Sequence, residues 1–543
     1  MLLIKKVRTV LVCLSLGILC HTTAYGGEIS VSDGAKSPFF NVVDYGARND
    51  GSSKATLAIK KAIDAAVKQG GGTVYFPAGT FLTGPIHLKS NITIFIDAGA
   101  LLKFSTDFDD YLPMVKSRWE GIVNMNFSPL FYAYQADNIA IIGRGIIDGQ
   151  GQKWWDVFNQ IKAEYKQFGT YKTNTKWQKM HKQLNKNITH TDWRTREGHF
   201  FRPPFIQPFE CNNVLITGIT IRNSPFWNIT PTFCKNVTID GVTIESPANS
   251  PNTDGIDPSS CSQVRISNCF ITVGDDCIVI KSGKDEDGRK YNVPSENISI
   301  TNCTMLSGHG GVVIGSEMSG GVKGVAISNC VFDGTDRGIR IKSMRGRGAV
   351  VENIRVDNIV MRNIGEDAIN INMFYKKTDP EPLTERTPTF RNFHFSNITV
   401  VNTHRAASIL GLPENPAEEI IFSDIDIVEA DEGFIMRDAK DIGFHNVRVN
   451  CKKGSPFSAE RISGLELDDV KSPHPVAQAP LISLTDVQNA YITNCNVQGT
   501  TQAFLAIEGA SSDNVVLKFN HIKDISRAVR SGKQVPEGAF LLD

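Results

Sequence analysis

Asn213-Val-Leu-Ile-Thr-Gly-Ile-Thr-Ile221 decides the fold, because the same phrase keeps returning. It recurs as Asn236-Val-Thr-Ile-Asp-Gly-Val-Thr-Ile244, Gln263-Val-Arg-Ile-Ser-Asn-Cys-Phe-Ile271 and Asn297-Ile-Ser-Ile-Thr-Asn-Cys-Thr-Met305. Gly324 to Phe332 and Asn353 to Met361 continue the series, and weaker copies start near Asn91, Asn138, Asn392, Glu419, Asp441, Asn489 and Asn514. Within each phrase apolar residues alternate with polar ones, break at Gly or Asn, and resume. Alternation marks a strand with one buried face. The break marks a tight bend, since Gly and Asn tolerate positive φ. Starts at 213, 236, 263, 297 and 324 leave gaps of 23, 27, 34 and 27 residues. One such gap suits a coil of about three short strands. The expected fold is therefore all-β, a single-stranded parallel β-helix whose coils bury their apolar faces on one another.

Other parts of the chain fit around this solenoid. Cys269, Cys303, Cys330 and Cys495 share one slot of the phrase. They are expected as buried thiols rather than disulfides, since cysteine packs as a small hydrophobe. Asn41 to Ala47 reads as a strand, and Thr56 to Lys68 as a helix with Leu57, Ile59, Ala62, Ile63 and Ala66 on its apolar face. Such a helix would cap the open end of the solenoid. Residues 151–200 carry Trp154, Trp155, Trp177 and Trp193 but no solenoid phrase, so they are expected to leave the cylinder as a loop or helical excursion.

Residues 1–26 read as an export signal: Lys5, Lys6 and Arg8 precede an apolar run from Val10 to Leu19, and small residues follow up to Gly26. The run is too short to span a membrane. Cys20 raises a lipid-anchored alternative, but Leu19 stands where a small residue would be expected. The expected organisation is a signal at 1–26, an N-terminal cap with the first coils at 27–110, and the main β-helix at 111–530 with the 151–200 insertion. Export implies a secreted or periplasmic protein.

The 57 basic residues of the whole chain fall to 54 without the three in the signal, against 57 acidic ones. That near-balance argues against nucleic acid as the main partner. A local basic patch can still hold an anionic polysaccharide. Nothing in the cysteine spacing suggests zinc.

Between 249 and 345 the solenoid becomes unusually polar. Asn252-Thr-Asp-Gly255 precedes Gly274-Asp-Asp276 by close to one coil. Residues one coil apart stack about 4.8 Å from each other, so Asp254 should lie beside Asp275 and Asp276. His309, in Gly308-His-Gly310, falls on the following coil, and Arg340-Ile-Lys342 on the one after. Alternation puts Arg340 and Lys342 on the same side of their strand. Taken singly, each motif is no more than a turn, a solvated bend or a charged strand face, with Arg345 and Arg347 as solubilising charge. Their order at coil spacing is what suggests one patch. Three crowded carboxylates cannot all ionise cheaply, so at least one should hold its proton. An acid beside carboxylates is what glycoside hydrolysis needs. Arg340 and Lys342 suit gripping the carboxylate of an acidic sugar.

These four ordered motifs resemble glycoside hydrolase family 28, the polygalacturonase family, over roughly residues 40–520. The resemblance implies a right-handed parallel β-helix that inverts anomeric configuration with no cofactor and no metal. It makes Asp275 the general acid, has Asp254 and Asp276 hold and activate water, and has His309 tune the acid. It assigns Arg340 and Lys342 to the galacturonate carboxylate, Asn252 to sugar positioning, and a family tyrosine to Tyr375. The family is mostly monomeric, and its partner is a pectic polysaccharide or oligosaccharide. Gly311 to Met318 looks like the exo-acting branch, and the loop from Lys281 to Glu296 is long enough to wall off a groove. Exo action is therefore expected, with endo-polygalacturonase or rhamnogalacturonan hydrolase as the alternative. Two rival functions stand beside it. One is a calcium-dependent pectate lyase, because aspartates also bind calcium. The other is a non-catalytic β-helix that holds glycans with exposed tryptophans.

Overall fold

The computed structural model of the chain describes residues 39–169, 175–188 and 201–542, apart from 498, 523, 524 and 526. The expected export signal with Cys20, and Trp193, lie outside the described residues. Ile216, Ile239, Ile266, Ile300 and Ile327 stand in parallel register on consecutive coils, and all five are buried. Repeated coil by coil, this pairing joins 31 strands of the described residues into one sheet. The architecture is a right-handed parallel β-helix. Farther along, the isoleucine column passes to Val356, Phe395 and Phe422. There Phe395 stacks on Phe422 at 5.0 Å, and Phe422 on Phe444 at 4.8 Å. One coil of rise suits one stacked ring, so aromatics can replace aliphatics without breaking the register.

The bends follow the sequence. Asn213 and Asn236 both adopt φ of +56°. Asn also has an amide to offer: Asn138 donates to Asn91 at 3.0 Å and Asn213 to Asn138 at 2.9 Å, which ties neighbouring coils. All nine cysteines of the described residues are free and buried. The thiols of Cys269, Cys303 and Cys330 donate to the backbone carbonyls of Ser267, Thr301 and Ser328 at 3.2, 3.3 and 3.2 Å.

Helix α1 (Thr56–Lys68) buries Ala58, Ile59, Ala62, Ile63 and Ala66. Leu57 departs from the expectation and is exposed, because helical spacing puts it on the face of Lys61 and Asp64. The expected strand Asn41 to Ala47 also fails beyond its first residue. Only Phe39–Asn41 is strand, and Val42–Tyr45 forms a 3₁₀ turn. The Asn41 side chain accepts the Val43 N–H at 3.0 Å and caps that turn.

The insertion supplies helices α2 (Gln152–Phe168) and α3 (Lys176–Leu184). Trp154 and Trp155 are buried. Trp154 packs among Phe108, Tyr111 and Phe127, and the Trp155 indole donates to the Ser224 carbonyl at 3.0 Å. These two rings anchor the insertion and are not exposed as a glycan-holding scaffold would need, and Trp177 is half-buried. A hairpin that the repeat does not announce, Val115–Trp119 with Ile122–Asn126, pairs antiparallel beside the solenoid. No helix among the described residues is long and apolar enough to cross a membrane.

Candidate active site

Stacking assembles the site from residues far apart in sequence. Ile256 bridges Ile278 on the next coil, and the Gly255 N–H donates to the Asp276 carbonyl at 3.0 Å. Asp276 pairs with Gly310 in turn, and Val313 with Arg340. Carboxylate oxygens of Asp254, Asp275 and Asp276 consequently lie within 4.8 Å of one another. His309 Nδ1 is 3.1 Å from Asp275 Oδ1. Lys342 Nζ donates to Asp276 Oδ2 at 2.7 Å, and Arg340 Nη1 lies 3.8 Å from Asp276 Oδ1. Asn252 Nδ2 donates to Asp275 Oδ2 at 3.4 Å. The Tyr375 ring sits 5.8 Å from the Arg340 guanidinium and 5.4 Å from Lys342 Nζ. All eight residues singled out in the sequence meet here.

Several neighbours were not foreseen. Lys281 Nζ donates to Asp254 Oδ2 at 3.0 Å, lies 3.7 Å from Glu317 Oε2, and stands 3.6 Å over the Trp227 ring. A signal for it exists in the sequence: Ile280-Lys281 and Ile341-Lys342 put lysine in one slot two coils apart. Arg202 Nη2 donates to Asn252 Oδ1 at 2.8 Å and fixes that amide. Arg345 and Arg347 are buried, which corrects their reading as solubilising charge. Arg345 pairs with Glu414. Arg347 pairs with Asp285 and donates to the Ser316 carbonyl at 3.0 Å.

Burial and charge divide the carboxylates into two kinds. Burial pushes the Asp254 carboxyl well up; Lys281 opposes this, and Asp275 and Asp276 reinforce it. Asp257, three residues on in the same coil, is pushed up by burial and by Asp254. Burial also disfavours the Asp275 anion, but the hydrogen bond and charge of His309 outweigh it, and its pKa falls below the ordinary value. The same bond to Asp275 raises His309 to about 9, against the opposing effect of burial. Glu317 is lowered to about 2, because Lys281 and Arg347 overcome its burial. Burial thus works against the Asp254 anion, while Asp275 and His309 favour each other's charged forms across their hydrogen bond. The three aspartates are close enough to hold a cation, but Lys281 and Lys342 already supply ammonium groups to two of them.

The cluster opens into a polar cavity of about 130 Å³ lined also by Glu120, Lys284, Glu317, Arg347 and Lys376. One end is walled. The hairpin tip at Glu120 and Gly121 meets the loop after Lys281, where the Lys284 N–H donates to the Gly121 carbonyl at 3.0 Å. Helix α4 (Asp285–Tyr291) backs that loop. On the other side the His309 side chain is 51% exposed.

The family model described as Glycosyl hydrolases family 28 matches residues 190–451, and that of Rhamnogalacturonase A/epimerase, pectate lyase-like, matches residues 39–200. A "Probable polygalacturonase" of Vitis vinifera is 31% identical over 71% of this chain and 74% of its own length. An exo-poly-alpha-D-galacturonosidase of Dickeya chrysanthemi is 27% identical over 82% of this chain and 77% of its own. Among solved structures, a hyperthermoactive exopolygalacturonase from Thermotoga maritima is 38% identical, with a TM-score of 0.67 over 75% of this chain and 91% of that one.

Proposed function

Because the chain belongs to glycosyl hydrolases family 28, we propose that it hydrolyses α-linked galacturonic acid in pectin, releasing single residues from a chain end. The observation that carries this is the walled cavity around Asp254, Asp275 and Asp276. A groove open at both ends would thread a polymer, whereas a pocket closed at one end accepts only a terminus. Exo-acting names among the similar proteins agree with it.

In the proposed mechanism the proton carried by His309 passes across their 3.1 Å contact to Asp275 and on to the leaving oxygen. One proton shared by such a pair belongs to the pair and not to either residue. Asp276, gripped by Lys342, takes the proton of the attacking water, and Asp254 helps to hold that water. Arg340 and Lys342 face the substrate carboxylate beside Tyr375, and Asn252 positions the sugar. Lys281 keeps the deep carboxylates compatible with burial, since an unpaired buried charge is costly.

The aspartate spacing sharpens one question. Oxygens within 4.8 Å are closer than the roughly 6.5–9.5 Å of the usual inverting pair. Inversion, as the family resemblance implies, therefore requires water beside the acid rather than between two separated carboxyls. Proton NMR of trigalacturonate hydrolysis tests reaction and stereochemistry together. Early signals of β-galacturonic acid support inverting exo action. An α-anomer first would make the enzyme retaining, and an unsaturated product abolished by a chelator would make it a lyase. Residues 1–26 we take as an export signal, tested by the N-terminal sequence of protein recovered outside the cytoplasm.

A further inference from the structure

Glu120 is the first residue of the two-residue turn joining Val115–Trp119 to Ile122–Asn126, with φ of +43°, and Gly121 follows at +82°. Such turns favour Asn, Asp or Gly at that position. A glutamate held there is strained, and strain of this kind persists where the surroundings fix it, often at functional sites. The surroundings do fix it. The Gly121 carbonyl accepts Arg118 Nε at 3.2 Å and the Lys284 N–H at 3.0 Å. A Cβ on Gly121 would stand 2.8 Å from Lys284 Cβ and 3.0 Å from Glu317 Cβ. The Glu120 side chain is 9% exposed, lies 3.9 Å from Lys284 Nζ, and lines the catalytic cavity where the hairpin tip meets the loop after Lys281.

The orientation of the sugar follows from the two sides of the site. Asp254 and Asp276 are deep, with side chains 3% and 2% exposed, whereas Asp275 is 19% exposed and leads out to His309. With the acid outward and the water-holding carboxylates deep, the leaving chain runs out past His309. The sugar attacked at its anomeric carbon therefore lies deep, against the wall, and is the non-reducing terminal residue. In an α-1,4-linked galacturonan only that residue carries a free 4-hydroxyl. We propose that Glu120 is a specificity-determining residue, selecting the non-reducing terminus by accepting a hydrogen bond from its free 4-hydroxyl. This rests on the exo-hydrolase reading above.

The test compares kcat/KM for trigalacturonate with that for its 4,5-unsaturated counterpart, which lacks the hydroxyl. Wild type, Glu120→Asn and Glu120→Gln are measured, with melting temperatures. Asn suits the left-handed turn, so Glu120→Asn keeps the hairpin while withdrawing the carboxylate. The expected result is a wild-type preference for the saturated end of at least about tenfold. In Glu120→Asn that preference falls to within about twofold, with the melting temperature held or raised. A preference that survives Glu120→Asn overturns the proposal alone. A wild type that releases no galacturonic acid removes the exo reading and the proposal together. An equal fall in kcat/KM on both substrates in Glu120→Asn, with a lowered melting temperature, would leave the preference intact and assign Glu120 to the turn instead, and also overturns it.

Discussion

Between Asn252 and Lys342 one outward face carries charges that are buried; between Val350 and Asp468 most outward charges face solvent. In the first region Asp254, Asp276, Lys281 and Lys342 have side chains 3%, 2%, 5% and 8% exposed. In the second, the strands Val350–Asn372, Thr389–Leu410 and Ala417–Asp468 run almost unbroken. Their outward residues form solvent ion pairs such as Arg391 with Glu352 and Arg448 with Asp426. Both regions share the same interior column, isoleucine in one and phenylalanine in the other. The interior periodicity makes the scaffold. Chemistry arises where inserted segments cover an outward face, so that charges there must be paired and held in place.

The largest effect expected from breaking this contrast is on activity. Asp275→Asn should lower kcat/KM by roughly 10²–10⁴ with little change in melting temperature, as measured by reducing-sugar release and calorimetry. Lys281→Met should leave Asp254 without its ion-pair partner. Removing one partner of a buried pair costs about 3–5 kcal/mol, so denaturant unfolding should show a loss of that size along with reduced activity. Phe422→Ala in the second region should show the inverse pattern: about 3–5 kcal/mol of stability lost from the stacked core, with kcat/KM of the remaining folded protein retained.

His309 gives a subtler test. Its imidazole is raised to about 9 by Asp275, so its pairing stabilises the folded chain fully below the ordinary imidazole value of about 6.5. That contribution is lost as pH rises through about 9. The Asp275 side runs oppositely: its pKa is lowered, and its contribution is lost only as pH falls below the ordinary carboxylate range. In Asp275→Asn the His309 ring, followed by NMR, should titrate close to its ordinary value. The smallest effect belongs to the exposed face. Arg448→Ala should cost less than about 1 kcal/mol, and less still in high salt.

The interior was legible in the sequence because strand alternation and coil spacing are local and repeated. Asp254, Asp275, Asp276, His309, Arg340 and Lys342 were legible for the same reason: stacking converts sequence gaps into contacts. The wall was not. The hairpin around Glu120 takes its position from contacts such as Arg118 with Ser260, 2.8 Å apart in space and far apart in sequence, which no period announces. Lys281 sits where a strand passes into a long loop, so its burial depends on that loop folding back. Val42–Tyr45 misled because Asn41, read as the start of a strand, instead caps a turn.

A pocket lined by the hairpin and the loop after Lys281, with Asp275 as its acid, should remove terminal galacturonate one residue at a time. A time course on polygalacturonate with EDTA present, resolving products by size for wild type and Asp275→Asn, tests it most directly. The expected result is galacturonic acid as the sole early product of wild type and almost none from Asp275→Asn. An early ladder of mixed oligomers, or equal release by both proteins, would contradict it.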